Sequence, residues 1–155
     1  MLKPCVPHDQ HHSETALLVA RGTRRLLRRL NFSTLTELPL LSGRRADIVA
    51  LSTNGSFLIV EIESSLNDFQ ADYKWHEYRT YCDRLYFAIP ESVPADHMPQ
   101  DAGLILADAY SADIVWHAPE HRMAAVTRRA MLLRFAHAAL RLQRATDPET
   151  HAHGG

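Results

Sequence analysis

Two cysteines in 155 residues, Cys5 and Cys82, are too few for a disulfide framework, and their spacing matches no metal motif. Long apolar runs are missing too: none approaches the roughly 20 residues that span a bilayer. The first residues, MLKPCVPHDQHHSE, lack the apolar stretch of a secretory signal, so a cytoplasmic protein is expected. Charge of one sign is also lacking. The formal net charge is −1, which by itself announces neither a polyanion binder nor an acidic protein. What is present is ordinary for one globular domain: 46% hydrophobic and 23% charged residues.

The distribution of charge says more than its total. Arg21, Arg24, Arg25, Arg28 and Arg29 stand together without an acid, and so do Arg122, Arg128, Arg129, Arg134, Arg141 and Arg144. The acids crowd into 61–83. A basic surface beside an acidic centre suits a metal-assisted phosphodiester site. Arginines that merely solvate two amphipathic helices give the same pattern.

Residues 1–12 are polar, with two prolines, and read as a flexible segment. The histidines there, His8, His11 and His12, form a terminal cluster of the kind that is usually incidental. One domain follows over 13–144, and 145–155 is a tail. The first helix is expected from Ser13, its N-cap, to Leu30, with Leu17, Ala20, Leu27 and Leu30 facing inward. STLTELPL (33–40) reads as a strand ending near Pro39. ADIVAL (46–51) and SFLIVEIE (56–63) surround STNG, a hairpin signal. A helix from about residue 67 to Cys82, an apolar strand over 84–90, strands over 103–108 and 112–118, and a helix over 120–144 complete the order. The fold class is therefore α/β, a mixed sheet with helices packed on it.

The hairpin raises a chemical question. A three-residue loop with Gly55 in the left-handed conformation sets Asp47 opposite Glu61, with Val49 facing Ile59 and Leu51 facing Phe57. A two-residue Asn54-Gly55 loop sends Glu61 to the other face. Glu63 shares the face of Glu61 unless a bulge intervenes. Both faces are otherwise apolar, as in a covered central strand pair. Carboxylates at the end of such a pair need partners, either Arg44 and Arg45 or a divalent cation.

RRADIVAL, then GSFLIVEIESS, then DFQADYKWHEYRTYCDRLYFAIP resembles the MmcB-like DNA repair family of the PD-(D/E)XK nuclease superfamily. The resemblance covers roughly residues 14 to 118 and is most specific over 61–89. It implies a restriction-endonuclease-like αβββαβ core, here with extra C-terminal strands and a long C-terminal helix. It implies Asp47 and Glu61 as ligands of Mg²⁺ or Mn²⁺, aided by Glu14. Lys74 and Tyr78, four apart, are similar to the helix motif of related nucleases. Arg24, Arg28, Arg44, Arg45 and Tyr78 are the residues placed against DNA. Glu63 stands where the superfamily carries lysine, the residue that orients the attacking water. Three readings follow. Lys74 takes over that role, or Glu63 serves as a further ligand or base, or the site binds without cutting. The implied function is DNA repair, with DNA and other repair proteins as partners, either as a metal-dependent nuclease or as a non-catalytic binding or adaptor protein.

Several other residues have simpler readings. Cys82 reads as a buried small apolar residue, Asp68 as an acid favoured at a helix N-terminus, and Trp75 as packing. Ser64-Ser65 reads as a strand end, and Asp83-Arg84 as a helix-to-strand junction.

Overall fold

A computed structural model of the chain describes residues 13–71 and 74–151. Helix α1 (Glu14–Arg29) begins on Ser13, whose hydroxyl accepts the Ala16 amide at 3.2 Å. Strands β1 (Ser33–Pro39), β2 (Arg45–Leu51) and β3 (Phe57–Ile62) follow, then helix α2 (Leu66–Ala71). A 3-10 helix (Trp75–Tyr81) leads into β4 (Arg84–Ile89). Strands β5 (Gly103–Ala107) and β6 (Ala112–Trp116) and the long helix α3 (Ala125–Ala145) complete the order.

The six strands lie side by side in chain order. β1, β2 and β3 form an antiparallel meander, β3 to β5 run parallel, and β6 returns antiparallel. The αβββαβ order and the extra C-terminal strands and helix agree with expectation. Every β3 residue from Phe57 to Glu61 is buried, as a central strand covered on both faces requires. On one face Phe57, Ile59 and Phe87 pack with Trp75, Met131 and Phe135. On the other, Ile48, Val60 and Ile105 pack under Val19, Leu26 and Leu27 of α1. Cys82 is fully buried, and burial pushes its thiol up to about 12, so it packs as a small apolar residue. No helix among the described residues is long and apolar enough to cross a membrane.

Three expectations change. The buried stripe of α1 is Ala16, Val19, Gly22, Thr23, Leu26 and Leu27, while Leu17 and Leu30 are exposed. The stripe is rotated because α1 seats Gly22 against the β5–β6 turn, where a Cβ would lie 1.9 Å from the Asp108 carbonyl oxygen. Second, the single helix expected up to Cys82 is α2 plus a separate 3-10 helix. Trp75 and Tyr78 are both buried at i and i+3, which align at three residues per turn. Third, α3 starts at Ala125, and its N-cap residue Ala124 offers no capping side chain.

Candidate functional site

The hairpin register decides where the acids stand. Leu51 pairs with Phe57, Val49 with Ile59 and Ile48 with Val60. Gly55 takes φ 89°, the left-handed turn residue, and the Ser52 amide donates to the Ser56 carbonyl at 2.9 Å. This is the three-residue loop, and it sets Asp47 opposite Glu61. Beyond Ile48–Val60 the side chains take over from the ladder. The Asp47 amide donates to Glu61 Oε1 at 3.1 Å, and the Ile62 amide donates to Asp47 Oδ2 at 2.8 Å. Each carboxylate thus accepts one backbone amide.

Glu61 is buried, and its pKa is held well above the usual 4.5. Burial is the largest cause, followed by the charge of Asp47, with a smaller push from Glu63. A group raised in the folded state stabilises fully below its unfolded pKa and loses that contribution as pH rises through the folded value. Glu61→Gln is therefore expected to be more stable than the parent protein at about pH 8 by roughly 1–3 kcal/mol, the cost of a poorly compensated buried group. The advantage vanishes below about pH 4.5. A melting-temperature difference that stays flat across this range overturns this reading.

Asp47 opens onto a groove of about 360 Å³ between α1 and the sheet. Arg21 and Arg24 line it from α1, Thr36 and Glu37 from β1, and Ile62 from β3. Glu37 holds a left-handed φ of 56° and falls between the Thr36–Ile48 and Leu38–Ala46 pairs, so it stands across from Asp47. The sequence reading names neither Arg21 nor Glu37 as a site residue. Arg21 is legible only as one of the five arginines of α1, and an acid within a short alternating strand gives no signal of its own.

The other candidates are scattered. Glu14 is exposed in the first turn of α1. Among the described residues no three His, Cys, Asp or Glu side chains form a group that could hold a metal ion, so Glu14 is not brought to Asp47 and Glu61. Arg28 is exposed in the last turn of α1. Arg44 pairs with Glu77 at 2.8 Å and lies over the Tyr78 ring at 5.9 Å. Arg45 is exposed, and its carbonyl accepts the Tyr78 hydroxyl at 3.2 Å. Tyr78 itself is buried in the core, a packing position rather than a base-stacking one. Lys74 is exposed just before the 3-10 helix. At three residues per turn, positions four apart do not share a face, which separates Lys74 from Tyr78. Glu63 is buried, and its amide donates to the Ala88 carbonyl at 3.0 Å, extending the β3–β4 pairing. The N-terminal histidines and Cys5 lie outside the described residues.

The serines and Asp68 build the start of α2. Ser65 Oγ accepts the Asp68 amide at 3.1 Å, and Ser64 Oγ donates to Asp68 at 3.0 Å. Asp83 does more than join two elements. It is buried, accepts the Phe57 amide at 2.8 Å, and takes Arg128 through both oxygens at 2.8 and 2.7 Å. Burial raises its pKa, but Arg128 and the Phe57 amide outweigh that and leave it below the usual 3.8.

Of the two opposed carboxylates, Glu61 is costly to ionise because burial and the charge of Asp47 both disfavour its anion, and a nearby cation would offset that cost. Mg²⁺ typically takes one or two carboxylates and fills its shell with water and phosphate oxygens. The fold defines a mixed α/β protein with an αβββαβ core extended by two C-terminal strands and a long helix. The chain belongs to the MmcB-like DNA repair protein family, whose model matches residues 4–149. A solved protein of unknown function from Silicibacter pomeroyi is 39% identical, with a TM-score of 0.83 over 94% of this chain and 100% of that one. A repair endonuclease from Pyrococcus abyssi is 16% identical, with a TM-score of 0.36 over 57% of this chain and 42% of that one, a likeness too weak to carry weight. No curated protein matches.

Proposed function

We propose that the protein binds DNA during repair through the groove beside α1, and that Asp47 and Glu61 hold Mg²⁺ or Mn²⁺ there. The observation that carries this is Asp47, which lies opposite Glu61 in the hairpin and opens onto a groove lined by Arg21 and Arg24. The arginines are suited to phosphate oxygens, which position the strand without reading its sequence. A bound divalent cation supplies charge stabilisation for phosphodiester hydrolysis. Asp47 and Glu61 would orient it, and the groove would place the strand above them.

A second reading is favoured by Glu63. Where the resemblance expects lysine, a buried acid stands beside Glu61, and Lys74 is exposed away from the face of Tyr78. An ionised carboxylate cannot donate a proton to charge developing on phosphate. On this reading the protein binds DNA, or serves as an adaptor within a repair complex, without cutting.

The test is direct. Purified protein is incubated with single-stranded, duplex and flapped DNA and Mn²⁺, beside Asp47→Ala. Cleavage that Asp47→Ala abolishes supports the enzyme reading, and Lys74→Ala then shows whether that lysine contributes. Salt-sensitive binding without cleavage on any substrate supports the second reading. Absence of both binding and cleavage overturns the proposal.

A further inference from the structure

The outer face of α3 has a composition that a solvated surface helix does not need. Met131 and Phe135 face the core, and on the opposite side Val126, Leu133 and Leu140 recur every seventh residue. They are 77%, 52% and 55% exposed. Seven residues make nearly two helical turns, so the three form one column about 21 Å long. Arg129 and Arg141 flank it on either side, both exposed. No acid occurs between Glu120 and Asp147 to neutralise them.

We infer that this column is the docking site for an acidic amphipathic helix of a partner protein. The column supplies every-seventh anchors, one of the two positions of a coiled-coil seam, with small Ala130 and Ala136 at intervening positions. The absence of acids requires the partner to bring them. Other occupants fit less well. A second copy laid along the same column would set arginines against arginines. Nucleic acid would satisfy the arginines but offer phosphates, not apolar surface, to the leucines. A bilayer surface calls for a broad apolar face segregated from the cations, and here the column is one residue wide. The inference does not rest on DNA binding, because α3 packs on the face of the sheet opposite α1.

The probe is a fluorescein-labelled synthetic helix with leucine at every seventh position and glutamates on both flanks, followed by anisotropy. Its controls are a scrambled peptide of identical composition and a version with lysine for glutamate. The patterned acidic peptide is expected to bind the full-length protein and both controls to bind at least tenfold more weakly. Leu133→Ser with Leu140→Ser is expected to weaken binding by at least about tenfold, the loss of a shared hot spot. Arg141→Glu is expected to weaken it in a salt-dependent way. All three residues are exposed, and circular dichroism verifies that each variant keeps its fold. No binding at about 100 μM peptide overturns the inference, as does a scrambled peptide that binds equally well. It also fails if sedimentation shows self-association that the double serine variant abolishes, or if duplex DNA or anionic vesicles displace the peptide from this face.

Discussion

Arg128→Met is expected to lower the unfolding free energy by about 3 kcal/mol, the low end of the cost of removing one partner of a buried ion pair, because Asp83 is buried while Arg128 is partly exposed. The Arg128 guanidinium grips both oxygens of Asp83 and also donates to the Gly55 carbonyl at 2.8 Å. It thereby fastens α3 to the hairpin loop and to the start of β4. Without it Asp83 keeps its charge in a buried position with only the backbone amides of Phe57 and Met123 to hold it. Urea unfolding at neutral pH measures the loss. The pH dependence follows from the lowered pKa of Asp83. A depressed carboxylate contributes stability above its unfolded value and loses it as pH falls through the folded value. The deficit of Arg128→Met is therefore full at neutral pH and shrinks below about pH 3.8. Asp83→Asn in the same chain recovers part of it, because the buried charge is gone. A deficit under about 1 kcal/mol would mark the pair as an ordinary surface bridge.

Gly22→Ala is expected to be nearly as damaging, at about 3 kcal/mol, the upper range for overpacking a close contact. The added methyl would sit 1.9 Å from the Asp108 carbonyl oxygen and 2.7 Å from that of Ser111. Both are backbone atoms, so no side chain can swing aside. Alanine is the better helix former, by roughly 1 kcal/mol, so a loss of stability isolates the contact from propensity. α1 also carries Arg21 and Arg24, which rim the groove above Asp47. Lifting the helix separates these arginines from Asp47, so on the proposed function DNA binding is expected to fall at temperatures where the variant is still folded. Thermal melts and DNA titrations of the variant check the two effects separately. Unchanged stability would mean that the β5–β6 turn yields.

Where the chain carries a local rule, its sequence is readable. Ser13 before an apolar-periodic stretch starts α1, and Asn54-Gly55 marks the hairpin, while the opposition of Asp47 and Glu61 depends on the three-residue loop, which the folded register reveals. Central burial of β3 follows from its unbroken apolar run. What fails to show is set by distant contacts. The inward face of α1 is marked by Gly22 and Thr23, small residues that hydropathy passes over, because what matters there is proximity to the β5–β6 turn. The break after α2 reflects burial of Trp75 and Tyr78 against the sheet, which overrides a continuous helical pattern. Asp83 and Arg128 stand 45 residues apart, and nothing local links an acid before a strand to one arginine among many. Within the site, the carboxylates are legible because they share a hairpin. Arg21 and Glu37 reach the same groove from separate elements, so only the assembled fold brings them in.

That difference in chain distance also orders assembly in time. Asp47 and Glu61 are 14 residues apart and are brought together by one short turn, a closure of small entropic cost. The seat of α1 depends on the Asp108 turn at the far end of the sheet. During folding the Asp47–Glu61 hairpin is therefore expected to close before α1 and its arginines dock. In that order the two carboxylates meet without the arginines of α1 nearby, and docking of α1 is expected to bring Arg21 and Arg24 to Asp47 afterwards.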